Sequence, residues 1–344
     1  MSGGAGRLAL VLVALALGAC ERGPKPGGEA QAGERDPGLD LGGVRASAVD
    51  GLEAAARDPA VASSLGLAAR LEDPAVEAAV ARLLARVAKD PELARASEQL
   101  FARLEHSAAT RAALVDYARQ NPELDVAAIS EGFVGFVDER LTRPELAARL
   151  EQGLRAELRA TDVVLAPVLI AEAGGAATIA EGVVARLEDP SFEASARERL
   201  GRESQALQAR LERRLADPAR AGELLVGLRA TLASEAAALA LAEIIDLERS
   251  AELLAEALTR ALADEQVRAR SEQLFTLALV QPFDALAFDD ALRALLAEPV
   301  VALEAAALLS ALAREPAVRT RVARLSALYV DQAGFDAQLL DALD

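Results

Sequence analysis

The chain runs to 344 residues yet has one cysteine, Cys20, one histidine, His106, and no tryptophan. Each scarcity excludes something. A lone cysteine closes no disulfide within the chain, and a structural zinc site asks for about four Cys or His ligands. With one imidazole, a Ser-His-Asp or Cys-His mechanism would rest on His106 alone. His106 falls at an expected helix end, where a histidine meets the carbonyl pole of the helix dipole favourably. Aromatic residues make up only 3%, too few for the stacking platforms that hold sugars or single-stranded nucleic acid. Positive charge is short as well. Thirty-seven basic residues face 54 acidic ones, for a formal charge of −17. Nucleic acid requires a basic face, so we expect no nucleic-acid partner. Charge alone would not dock such a chain on anionic lipid either. We read the acidity as solubility.

The motifs of phosphate cradles, dinucleotide folds, nucleophile elbows and zinc proteases are absent from the sequence. We therefore expect no catalytic residue, no cofactor and no metal site. Glu172, Glu243 and Asp246 lie in apolar surroundings, and buried carboxylates can do acid–base work. Glu172 and Asp246, however, fall at equivalent places in two sequence copies described below. A group that repeats with the repeat reads as a helix cap or interhelix partner. Asp284, Asp289 and Asp290 lack the spacing of a calcium loop and read as a solvated helix face. The pairs Phe133/Phe136 and Phe283/Phe288 have helical spacing and read as core.

What is present begins with apolar residues, 52% of the chain, which make a core of Ala, Leu and Val. Arg7 precedes the apolar run 8–17, followed by Gly18-Ala19-Cys20. A basic residue, a run of this length and small residues make an export signal, and the run is too short to span a bilayer. Leu17-Gly18-Ala19-Cys20 resembles the lipobox of bacterial lipoproteins. The resemblance implies that residues 1–19 are a signal peptide removed before Cys20. It also implies lipidation of Cys20, by a diacylglyceryl group on its sulfur and an acyl group on its amine, which would anchor the chain to a membrane. Glu21 follows, where Asp in that family often holds a protein at the inner membrane. The implied place is the cell envelope, at the periplasmic face of the outer membrane, with the cell surface as the alternative. Residues 20–43, rich in Gly, Pro and charge, read as the acylated Cys and a disordered tether with ends about 25 Å apart.

From residue 44 onward the pattern is helical. Arg70-Leu71-Glu72-Asp73-Pro74 returns letter for letter as Arg186-Leu187-Glu188-Asp189-Pro190. Asp accepts from the free N–H groups of a helix start, Pro suits the first helical position, and the residue before Pro leaves the α region. Helix starts are thus expected near Pro59, Pro74, Pro91, Pro122, Pro144, Pro190, Pro218, Pro282, Pro299 and Pro316. Residues 140–158 align with 214–232, and Ser97-Glu98-Gln99-Leu100-Phe101 recurs as Ser271-Glu272-Gln273-Leu274-Phe275. Glu265, Pro282, Pro299 and Pro316 form a ladder. The helix following Pro299 is apolar nearly all round, as if covered on both sides. Residues 163–171, the most apolar stretch of the body, are broken by Pro167. Gly174-Gly175 reads as a turn between two halves, 44–173 and 176–344. Residues 190–214 read as a long Arg/Glu-laced segment packed on one side.

The pattern resembles HEAT-like α-helical repeats, loosely and over about 300 residues. The expected fold is all-α, an irregular α-solenoid of short antiparallel helical hairpins, with a globular helical bundle as the alternative. The expected function is a lipid-anchored scaffold or adaptor for another envelope protein. The alternative is a carrier that holds a lipid or other hydrophobic ligand between helices.

Overall fold

A computed structural model describes residues 39–67, 69–70, 73–108, 110–112, 115, 119, 146, 149, 163–279 and 283–344. The signal and Cys20, most of the tether, Pro122, Pro144, Pro282, Phe133, Phe136 and nearly all of the 140–158 copy lie outside the described residues. Within them the fold is all-α. It comprises fifteen α-helices and one π-helical turn, with no strand among the described residues.

The helices are α1 Leu41–Ala56, α2 Pro59–Ser64, α3 Pro74–Val87 and α4 Pro91–His106. After the π-helical turn Val168–Glu172 come α5 Gly175–Leu187, α6 Pro190–Leu200, α7 Ser204–Ala216, α8 Pro218–Leu232 and α9 Glu235–Ile245. The last six are α10 Glu248–Ala263, α11 Glu265–Leu279, α12 Ala285–Leu296, α13 Pro299–Arg314, α14 Pro316–Val330 and α15 Phe335–Leu343. Seven of them begin at a proline, as the punctuation predicts. Asp caps do the chemistry. Asp58, Asp73, Asp90, Asp189 and Asp217 each accept from a backbone N–H two residues on, at 2.8–3.0 Å. Asp189 also accepts the Ser191 hydroxyl, and that bond, with the two backbone N–H groups, holds its carboxyl below the usual carboxylate range.

Several starts depart from the punctuation. α1 begins at Leu41, inside the stretch expected as tether, because Asp40 Oδ1 accepts from Gly42 N at 3.1 Å. Gly42 and Gly43 fall in the stretch expected as tether. At Gly43 the glycine instead admits a close neighbour, since a Cβ there would lie 2.6 Å from Glu212 Oε1. The helix across Pro167 is not broken but widens into the π turn, where Ala173 N donates to Val168 O at 2.8 Å. A proline without an N–H is accommodated by such a bulge. Gly174 then turns the chain with a left-handed φ of 87°. The Arg/Glu-laced segment is two helices, α6 and α7, separated at Gly201 with φ 112°. It packs on one side, through Leu200, Leu207, Leu211 and Leu215.

The chain forms two compact units. Unit 1 takes the described residues of Ala78–Ala160 and Ile245–Leu309, and unit 2 those of Glu21–Glu77, Thr161–Ile244 and Ser310–Asp344. The Gly174-Gly175 turn lies within unit 2.

In unit 2, α1 packs against α5, α7 and α8. Its stripe Val44, Ala48, Leu52 and Ala55 has helical spacing and is buried with Ile179, Val183, Leu211, Leu224 and Leu228. Gly51 lets the backbones of α1 and α7 meet: a Cβ there would lie 1.9 Å from Leu215 O. Residues 163–171 contribute Ala166 and Ile170 to the same core.

In unit 1, α4 packs against α10 and α11, and α11 against α12. Arg103 and Glu265 join α4 to α11 at 2.8 Å. Arg260 and Glu304 join α10 to α13 at 2.7 Å. The helix after Pro299 is not covered all round, for Leu303 remains 68% exposed. The stripe Val301, Ala305 and Leu308 carries its burial. A helix packed on one face needs only that stripe to be apolar, and the opposite face of α13 is apolar in excess of it.

Candidate functional site

The ionisable residues singled out in the sequence are not gathered into one site. His106 ends α4, exposed, with Nδ1 2.7 Å from Ala102 O of its own helix. Glu172 accepts the Ser310 hydroxyl at 2.7 Å. Glu243 pairs with Arg321 at 2.9 Å. Asp246 is an interhelix partner: Arg86 Nη2 reaches it at 2.6 Å and Arg82 Nε at 3.0 Å. Asp284 caps α12, Asp289 pairs with Arg149 at 2.7 Å, and Asp290 pairs with Arg293 at 2.9 Å. Phe283 and Phe288 pack at 5.5 Å between centroids, tilted by 55°, with Phe288 buried. Among the described residues, no group of three or more His, Cys, Asp or Glu side chains is placed to hold a metal.

Unit 2 does have a built groove, along one face of α8 and under α15. Its volume is about 560 Å³. Val226, Gly227, Ala230 and Ala233 form the floor, and Glu223, Arg229 and Gln338 give it polar edges. The floor follows from sequence: small residues recur at helical spacing from 226 to 233, so one face of α8 is left shallow. Val226 is 47% exposed there. A Cβ at Gly227 would lie 1.9 Å from Gln338 Oε1, so a larger residue there would have to displace the Gln338 side chain.

Below the groove the two helices are held by a buried polar network. Tyr329 Oη donates to Leu224 O at 2.6 Å and lies 2.8 Å from the Gln338 side-chain amide. Both oxygens accept from the same hydroxyl, so its single proton is shared between the Leu224 carbonyl and Gln338 Oε1. Gln332 Nε2 donates to Thr231 Oγ1 at 2.6 Å, and Thr231 is itself buried. Tyr329 packs edge-on against Phe335, with centroids 5.2 Å apart. Burial pushes the Tyr329 phenol well above its ordinary value. Such a network, fully satisfied, fixes a helix pair in one register. The network thus ties the groove floor on α8 to α14 and α15, with the Gln338 amide at its edge. The groove offers shape, apolar surface and a hydrogen-bonding amide, which suits binding.

Sequence reasoning passed over Gln338, Gln332 and Thr231. The available signal was Gly227, an isolated glycine inside a helix, which often marks a close neighbour.

The chain matches no protein-family model, no curated protein and no solved structure. Among the described residues, no single helix is long and apolar enough to cross a membrane.

Proposed function

We propose that this chain is a lipid-anchored helical adaptor of the cell envelope, held by acyl chains on Cys20 and binding another envelope protein through the groove on α8. The observation that carries the binding half is the groove itself. It is open, and its apolar floor of Val226, Gly227 and Ala230 is flanked by charge at Glu223 and Arg229. An apolar side chain of a partner seated over Gly227 would bury Val226, and Gln338 would meet a polar group at the edge. The anchor half rests on Leu17-Gly18-Ala19-Cys20.

The carrier alternative has less support. It would draw on residues 163–171 and the Phe pairs, yet Ala166, Ile170 and Phe288 are buried. A carrier also needs an enclosed apolar cavity, whereas this groove faces solvent.

Native mass spectrometry of the full-length protein, gently extracted from its own envelope, tests both halves. The expected species is an acylated chain with a stoichiometric protein companion that Val226→Glu removes. An unacylated chain would sink the anchor. A companion indifferent to Val226→Glu, or a bound small apolar mass in its place, would sink the adaptor.

A further inference from the structure

Unit 2 has a second cleft of opposite character. It lies where the ends of α6, α7 and α15 meet, has a volume of about 250 Å³, and is lined by Arg199, Arg210, Arg213 and Arg214. These stand in a chain of charge −17, where residues 197–214 nonetheless carry six arginines against three glutamates. Two of the four are committed. Arg210 Nη1 donates to Leu200 O at the carbonyl end of α6. Arg199 Nη1 donates to Leu340 O at 3.2 Å and to Asp344 Oδ2 at 2.5 Å, with Asp341 Oδ1 3.7 Å away. Arg213 and Arg214 have no side-chain hydrogen bond or ion pair among the described residues.

The cleft is shaped for its arginines. Gly201 leaves α6 in a left-handed conformation, φ 112°, and a Cβ there would lie 3.1 Å from Arg210 Nη1. Basic residues in a last turn complement the helix dipole. That effect acts along one helix axis, and it does not call for guanidiniums from two helices around one space. Asp344 displays the kind of group the cleft takes, an oxyanion held by Arg199.

We propose that this cleft binds a phosphate group, with Arg213 and Arg214 as its free guanidiniums, Arg210 as a fixed wall, and the Asp344 carboxylate as the resident anion that phosphate competes with. Two uncommitted guanidiniums beside the Arg199–Asp344 pair favour a dianion over a second carboxylate, and the planar fork of arginine matches phosphate oxygens. The phosphate is either free or the terminal ester of a lipid headgroup.

Isothermal titration of the full-length protein in detergent tests this with two probes: inorganic phosphate, and dihexanoyl phosphatidic acid below its micellar concentration. The expected result is saturable binding of at least one probe, weakened roughly tenfold or more in the Arg213→Gln/Arg214→Gln variant. Thermal unfolding of that variant should match the parent, since Arg213 is exposed and Arg214 half-buried with no partner to lose. Asp344→Asn should tighten binding. Phosphate binding assigns the site to the free anion, and binding of the phosphatidic acid alone assigns it to a headgroup. No saturable binding of either probe, or equal affinity in the double variant, overturns the proposal.

Discussion

Phe101 of α4 and Phe275 of α11 hold the same place in two copies of Ser-Glu-Gln-Leu-Phe, and their rings meet at 6.3 Å between centroids, tilted by 48°. The copies agree elsewhere. Asp90 and Asp264 each stand seven residues before the copied serine and accept from the backbone N–H groups two and three residues on. Leu100 and Leu274 are both buried. Equivalent residues of the two copies thus touch one another within one unit. Aromatic pairs of this kind contribute about 0.5–1.5 kcal/mol beyond their buried area.

If the copies are equivalent, their caps should be. Asp90→Ala and Asp264→Ala are each expected to cost about 1 kcal/mol of local stability. Hydrogen exchange should show faster exchange at Glu92 and Leu93 in the first variant, and at Gln266 and Val267 in the second. A loss confined to one variant would mean the shared sequence does not have a shared role.

That repetition marks how far the sequence could be read. Proline after aspartate is a local signal, and the helices beginning at Pro59, Pro74, Pro91, Pro190, Pro218, Pro299 and Pro316 follow from it. Helices without it went unmarked: α10 follows Leu247, and α7 follows Glu203, with no side-chain cap. The all-α class and the interhelix role of Asp246 were legible. The candidate groove was not. It depends on α8 lying against the chain's last helices, as in the Tyr329–Leu224 bond between residues 105 apart in sequence. No periodicity reports which distant helices pair. Gly43 shows the same limit, for it falls in the stretch expected as tether and serves as a contact.

Gly51 offers a sharper test of packing. A methyl group there would sit 1.9 Å from the Leu215 carbonyl oxygen, and backbone cannot swing aside as a side chain does. Gly51→Ala is expected to cost about 3 kcal/mol, despite the better helix propensity of alanine. Gly182→Ala should cost less, since the nearest atoms are Val330 methyls. Thermal melts followed by circular dichroism would check the order; equal melts for Gly51→Ala and the parent would refute the close approach of α1 and α7.

The Arg103–Glu265 pair makes an acid-side prediction. The Arg103 hydrogen bond and charge hold the Glu265 carboxyl below its ordinary 4.5. A depressed carboxyl contributes stability that is present above the ordinary value and lost as pH falls through the folded one. Arg103→Gln should therefore return the Glu265 titration, followed by NMR, toward 4.5. Any difference in melting from the parent should fade in acid and in high salt, because both groups lie at the surface. A Glu265 titration unmoved by the substitution would remove the pair from the account.

Tyr329 governs the alkaline side. Its phenol is buried, donates to Leu224 O, and resists ionising because the phenolate would lose solvation. In the unfolded chain the same phenol ionises near its ordinary 10.0. The folded value is raised, so the stability contributed by the neutral phenol is complete below pH 10 and is lost as pH climbs above it. Unfolding free energy should thus fall with pH above 10 in the parent. Tyr329→Phe removes the ionisation and should flatten that limb. At neutral pH the same variant should cost about 1 kcal/mol, because the Gln338 amide loses its partner beneath the groove. Urea unfolding at pH 7 and pH 11 separates the two effects. An alkaline slope that persists in Tyr329→Phe would assign the loss to other groups and leave the groove floor without its pH-dependent clasp.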